Sequence, residues 1–248
     1  MNINVGTYNI WHAQDYSAYL RGERKIAPEN IAKHIYENDI AICGLEEVDV
    51  CHKRSDYIDT PKAVTELLTE KTGVKYYYAY ASAINDYANP GSRYGNALIS
   101  RYPILNTREV MVDMGMGIKD GYEPRVILAA DLDVQGRALT VIVTHFGLNE
   151  SERELAAERL GMLLKETENP VIFMGDLNTT PNSDIYCRIA ELLCDCSEDN
   201  SLPLTFSSNE PKYKIDYIFR SRELKTSNIR TNAVEYSDHL PLTVTLEW

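Results

Sequence analysis

Short polar strings interrupt this chain where its apolar runs stop. TYNIW puts Asn9 at the end of one strand-like run, CGLEEVD puts Glu46, Glu47 and Asp49 after the next, and VTHFG puts His145 after another. MGDLN adds Asp176 and Asn178, KIDYIF embeds Asp216 in a strand, and SDHLP sets Asp238 and His239 just ahead of the last run. Carboxylate and amide oxygens with two histidines nearby suit a hard cation such as Mg²⁺ or Mn²⁺. They also supply a general base and a cationic or hydrogen-bonding group for a phosphoryl oxygen. Taken singly, each has an ordinary structural explanation. Asp-Leu-Asn after a strand makes an Asx turn or a helix cap, a histidine beside a strand fills a polar gap, and an aspartate within a strand pairs with a neighbouring arginine.

Gathering these residues requires strands that end at one rim. Short runs rich in β-branched residues recur at 3–10, 40–45, 76–81, 96–100, 125–134, 138–144, 171–174, 215–219 and 242–246, and their length favours strands over helices. Helical patterns lie between some of them. Pro28 as a first helical residue precedes Ile31 and Ile35 on one face, and Ala63, Leu67 and Leu68 repeat the pattern after Pro61. A third helix follows Asn149 as its cap, with Leu155, Ala156, Leu160, Leu163 and Leu164 as its apolar stripe. Residues 76–143 hold several runs without a helix between them and so read as antiparallel. The expected architecture is α/β: two mixed sheets packed face to face with helices on their outer faces. The turn-rich stretch NDYANPGSR at 85–93 reads as a loop within a single domain spanning 1–248, because strand signal continues on both sides.

Composition excludes several classes. A hydrophobic share of 44% with 25% charged residues is globular, which rules out a disordered tail, a collagen-like fibre and a coiled-coil rod. A net charge of −12 argues against a surface that grips duplex nucleic acid, since phosphate neutralisation needs a Lys/Arg footprint. Binding of an anion through a cation stays open. The five cysteines, Cys43, Cys51, Cys187, Cys194 and Cys196, are an odd count without framework spacing, and the C-x-C pair has no partners to complete a zinc set. Free thiols and a cytoplasmic address are expected. The first residues lack a basic segment followed by an apolar one, and no run is long enough to span a membrane.

In order and content, TYNIW, GLEEV, YGNALISRYPI, THFGL, GDLN, KIDYIF and SDHLP resemble the endonuclease/exonuclease/phosphatase superfamily, and its compact bacterial members most of all. The resemblance spans residues 3–247. It implies a four-layer, DNase I-like α/β sandwich, dependence on Mg²⁺ or Mn²⁺, and phosphoester hydrolysis.

By the same resemblance, Glu47 is the metal-binding glutamate, Asn9 lies beside the metal, and Asp238 completes the metal region. Asp176 orients or deprotonates the attacking water and Asn178 fixes water or a phosphoryl oxygen. His239 bonds a phosphoryl oxygen with Asp216 holding its ring, and His145 contacts phosphate. Arg54 in KRSD and Asn96 in YGNA are the matching substrate contacts, Arg54 through the bidentate geometry of its guanidinium. The chain departs from the family in two places. Glu46 replaces a glutamine and, as a charged residue, is expected to face solvent rather than stand behind the metal. Ile10, Trp11 and His12 follow Asn9 where abasic-site endonucleases carry an acidic residue. The expected activity is hydrolysis of a small or lipid-like phosphoester. A nuclease on the same fold is the alternative, and a degenerate binding module is disfavoured by the full residue set.

Overall fold

The computed structural model describes residues 2–118, 121–197 and 202–247. In chain order the elements are β1 (Asn2–Asn9), α1 (Tyr16–Leu20), α2 (Pro28–Glu37), β2 (Ile40–Val50), α3 (Thr60–Thr72), β3 (Tyr77–Asn85), β4 (Arg93–Ser100), β5 (Ile104–Val112) and β6 (Arg125–Val134). They continue with β7 (Arg137–His145), α4 (Glu150–Lys165), β8 (Val171–Asp176), α5 (Asp184–Leu192), β9 (Cys194–Asp195), β10 (Asp216–Arg220), β11 (Lys225–Thr231) and β12 (Leu242–Glu247).

Two six-stranded sheets result, ordered β11-β12-β1-β2-β4-β3 and β5-β6-β7-β8-β10-β9. Each carries one parallel pair near its middle, β1 with β2 and β7 with β8, between antiparallel flanks. Alternation along the strands makes the layers. In β6, Val126, Leu128, Ala130, Leu132 and Val134 point into the core between the sheets, while Ile127 and Ala129 point outward under α4 and α5. A third cluster, with Ile31, Ile35, Val64 and Leu68, seals α2 and α3 onto the outer face of the first sheet. The architecture is thus the four-layer sandwich expected, with helices outside two mixed sheets.

The helices follow the local signals. Pro28 opens α2, and Ile31 and Ile35 are buried in its face. The Glu152 carboxylate accepts from the Asn149 amide at 3.2 Å, closing the start of α4. In α3 the buried stripe is Val64, Thr65 and Leu68, one position away from the expected Ala63 and Leu67, which are only half-buried. The elements without sequence signal are α1, α5 and the strands β5, β9 and β11. Both β5 and β11 are sheet edges in which almost no side chain is fully buried, so polar residues interrupt the apolar alternation there. The expected loop shortens to 86–92 between β3 and β4, because Asn85 and Arg93 pair as the ends of those strands. None of the five cysteines is disulfide-bonded. Among the described residues, no helix is long and apolar enough to cross a membrane.

Candidate active site

Strand direction alone assembles the rim. The pairing of parallel β1 and β2 ends with Asn9 in register with Glu46. Parallel β7 and β8 do the same in the facing sheet, and His145 stands opposite Asp176. Antiparallel β10 begins where β8 ends, which sets Asp216 against Asp176. Because β12 runs antiparallel to β1, its start lies at the same end, and Asp238 and His239 arrive just before it.

Local backbone devices aim the side chains. β2 does not stop at Leu45 as its apolar run suggests; it continues to Val50 through a bulge between Leu45 and Val48, where Glu47 adopts φ 57°. The bulge lets both consecutive glutamates leave the usual alternation. Gly175 has φ 143°, and a Cβ there would overlap the Thr144 carbonyl, so only glycine lets β8 close on β7 directly before Asp176. The Asn178 amide donates to Asp176 Oδ1 at 2.8 Å, an Asx turn with Asn178 at φ 48°. The ordinary structural explanation of GDLN therefore holds, and the same turn presents both side chains to the rim.

The polar groups interlock. The Asn9 amide nitrogen donates to Glu47 Oε1 and Asp176 Oδ2, each at 3.1 Å, and its oxygen accepts from the Trp11 amide at 3.1 Å. His239 Nδ1 lies 2.9 Å from Asp216 Oδ2, and its Nε2 lies 3.7 Å from Asp176 Oδ2. His145 Nε2 lies 3.5 Å from the same Asp176 oxygen, and Asn178 Nδ2 donates to the Phe146 carbonyl at 2.9 Å. Asn9, Asp176, Asn178, Asp216, His239, His145, Glu47 and Asp238 thus occupy one rim.

Electrostatics divide these groups by role. Burial drives the Asp176 carboxyl up, the neighbouring Asp216 adds to it, and the result is a value of about 7, where a general base is most useful near neutral pH. Burial pulls His239 down, but Asp216 and Asp176 outweigh it and carry the imidazolium up to about 10. His145 is the opposite case: burial and then the Arg125 guanidinium push it well below the usual range. Arg125 Nη1 lies 3.0 Å from His145 Nδ1. A guanidinium can only donate, so Nδ1 accepts, and the Asn178 amide nitrogen lies 3.0 Å from Nε2 on the side facing Asp176. Charge is thus favoured on His239 and disfavoured on His145.

One expectation changes, and two of the expected substrate contacts have partners within the chain. Glu46 does not face solvent: it is 0% exposed, accepts from Thr7 Oγ1 at 2.8 Å, and leaves Oε2 unpartnered. Burial raises its carboxyl well above the usual range and so favours the neutral form, at the position where the resemblance has an uncharged glutamine. Asn96 is buried and donates to the Val126 carbonyl at 2.8 Å, a bond from β4 to β6 across the two sheets rather than an open contact for substrate. Arg54 directs Nε and Nη2 at Asp49, at 2.8 and 2.9 Å, and stacks over Tyr94, so this edge of its fork is already occupied by a carboxylate.

Arg125 is the site neighbour that the sequence did not single out. It is buried, pairs with Glu123 at 2.7 Å, and donates to the Tyr94 hydroxyl at 3.3 Å. Its signal in the sequence is slight, a charged residue at the head of the apolar run 126–130.

The Glu46 assignment has a testable sign. The fold raises its pKa above the unfolded value, so it favours the neutral form, and wild-type stability is lost as pH rises past about 4.5. Glu46→Gln should therefore melt above wild type at pH 8 and converge with it near pH 4. A melting difference independent of pH would refute the assignment.

Oxygen donors at the rim fit a hard cation. Glu47 and Asp238 both sit above the usual carboxylate range through burial, Asp238 raises Glu47 further, and neither has a Lys or Arg in an ion pair among the described residues. A divalent ion would relieve that strain. Asp176, Asp216 and His239 form a second possible set, with ligand atoms all within 4.8 Å of one another. Asn9 offers its nitrogen to the carboxylates and its oxygen to the Trp11 amide, so here it braces Glu47 against Asp176.

Comparison with known proteins shows the family and the fold. A model of the Endonuclease/Exonuclease/phosphatase family matches residues 6–239. An endonuclease/exonuclease/phosphatase family protein from Leptotrichia buccalis superposes with a TM-score of 0.78 at 20% identity, over 99% of this chain and 100% of that one. The mannosyl-6-phosphatase Bt3783 of Bacteroides thetaiotaomicron superposes with a TM-score of 0.74 at 21% identity, over 99% and 100%. Protein cwh43 of Schizosaccharomyces pombe is 32% identical over 84 residues, 33% of this chain but only 8% of that relative's length.

Proposed function

The chain belongs to the endonuclease/exonuclease/phosphatase family, and from that premise we propose that it is a divalent-metal-dependent phosphoester hydrolase acting on a small or lipid-like phosphoester by direct attack of water. The observation that carries this is the juxtaposition of a carboxylate whose pKa is raised to about 7, Asp176, with an imidazolium held by Asp216, His239, beside the carboxylates Glu47 and Asp238, which have no Lys or Arg ion pair among the described residues. A similar fold carries a mannosyl-6-phosphatase, which supports a phosphoester as substrate class.

In this proposal Asp176 accepts the proton of the attacking water, and Asn178 fixes that water or a phosphoryl oxygen. His239 donates from Nε2 to a phosphoryl oxygen, its charge maintained by Asp216. His145, beside Asn178, lines the position of a second oxygen. Mg²⁺ or Mn²⁺ at Glu47 and Asp238 would neutralise phosphoryl charge and stabilise the leaving oxygen.

The test is a screen of small phosphomonoesters and phosphodiesters with each metal, alongside plasmid DNA under the same salt. Cleavage of a small ester, lost on chelation, is expected, with weak and salt-insensitive binding of duplex DNA because the chain's net charge is −12. Tight DNA binding that falls steeply with salt, together with plasmid nicking by wild type but not Asp176→Asn, would establish the nuclease alternative instead.

Metal placement has its own measurement. By calorimetric titration with Mn²⁺, Glu47→Gln should bind more than about a hundredfold more weakly than wild type, beyond what loss of an outlying partner usually costs, whereas His239→Ala should change less than that. The reverse order would move the ion to the Asp176, Asp216 and His239 set.

A further inference from the structure

Sheet edges invite pairing with another chain, and the four edges of this fold are not guarded alike. β9 is only two residues long. β5 carries Arg108 and Glu109 and slips register between Ile104 and Asn106, and β11 carries Lys225 and Arg230 and slips between Ser227 and Arg230. Shortness, charge and bulges are the usual protections. β3 has neither of the first two: its nine residues, YYAYASAIN, include no charged side chain and no proline. Its slip, between Ser82 and Ile84, lies toward its end and leaves Tyr77 to Ser82 in unbroken register with β4.

The sheet order ends at β3, so every second residue of the strand turns its amide and carbonyl away from β4. A groove of about 510 Å³ lies along that side, lined by residues 76–80 with Thr65 of α3 and Thr107 of β5. Tyr78, in its lining, is 41% exposed. Room for another strand is open where the hydrogen-bonding edge is bare.

We infer that β3 pairs with β3 of a second copy of this chain, antiparallel about a two-fold axis, joining the two first sheets into one. The charges at the strand's ends select a copy over an unrelated segment. Lys75 stands just before β3 and Asp86 just after it, with only uncharged residues between them. Lys75 Nζ rests 4.5 Å from the Tyr77 ring centre and Asp86 Oδ1 accepts from the Gly91 amide at 2.6 Å, yet neither forms an ion pair among the described residues. A copy laid antiparallel about Tyr80 sets its Asn85 opposite Lys75, which brings Asp86 alongside, and the two-fold repeats the pair at the other end. Chains of net charge −12 repel one another, and an uncharged strand closed by two such pairs is a contact that avoids the repulsion. The site stays accessible. β3 runs toward the rim as β2 does, since both pair antiparallel with β4, so antiparallel copies open their rims in opposite directions.

Sedimentation velocity of the full chain between about 1 and 100 µM tests the pairing. A monomer–dimer equilibrium is expected. Lys75→Glu, which leaves like charges at both ends, and Tyr78→Lys, which puts a cation at an exposed position of the bare edge, should each raise the dimer Kd at least about tenfold in protein that stays folded. Asp86→Lys alone should do the same, and Lys75→Glu combined with Asp86→Lys should bring Kd back to within about threefold of wild type. That recovery separates a pair across the interface from damage to the loop at Gly91. A monomer throughout the range, growth beyond a dimer, or a dimer indifferent to Lys75→Glu and Tyr78→Lys would overturn the pairing. Weakening by both charge reversals without recovery in the exchanged variant would overturn its antiparallel register.

Discussion

Asp176→Asn is expected to lower turnover by at least about a hundredfold, and His239→Ala by a similar factor, in protein that stays folded. Asp176 is where the rim's hydrogen bonds and charges converge. Asn9 and the Asn178 amide bond its two oxygens, and both histidines approach Oδ2 within 3.7 Å. Asparagine keeps that shape and an accepting oxygen, so substrate should still dock; what it removes is the capacity to take a proton. The loss should therefore fall on kcat more than on KM.

Stability should move the other way. The fold raises the Asp176 pKa from 3.8 to about 7, so the folded state binds the proton more tightly than the unfolded state does, and wild-type stability declines as pH rises through that interval. Asp176→Asn escapes this decline and should melt no lower than wild type at pH 8. A variant that melts normally and turns over a verified substrate at near wild-type rate would remove Asp176 from the role of base.

The strands that carry the site were legible in the sequence because their polar residues interrupt apolar runs. Asn9, His145 and Asp176 each end such a run, and pairing direction then brings them together. Partners were not legible. A glutamate beside Glu47 looks like any exposed charge until the β2 bulge is known to bury it. Arg54 and Asn96 carry the right chemistry for substrate, yet Asp49 and the Val126 carbonyl reach them first, and neither neighbour follows from sequence spacing. Arg125 reverses the error: a charged residue opening β6 resembles a strand-end cap, and only the fold shows it facing His145. The edge strands β5 and β11 escaped for a related reason, since a strand with little to bury leaves little hydrophobic pattern.

Asp216→Asn should displace the whole pH–rate profile toward acid at saturating metal. In wild type, turnover should climb as Asp176 ionises through about 7 and hold until His239 loses its proton near 10. Asp216 acts on both limbs. It lies 2.9 Å from His239 Nδ1 and is the foremost group opposing the effect of burial on that ring, so neutralising it lets the imidazolium give up its proton far earlier. After burial, it is also the main charge raising Asp176, so the same substitution lets the base ionise at lower pH. Both displacements have one sign because a negative charge favours protonation of either neighbour. At pH 9 the variant should be about a hundredfold slower than wild type, as expected for a histidine returned toward its ordinary range, and the deficit should narrow on the acid side of neutrality. The optimum itself should fall below neutral. If Asp216 served only to pack the end of β10, its replacement would lower the rate by one factor at every pH, and the parallel profiles would exclude a titration of His239 governed by Asp216.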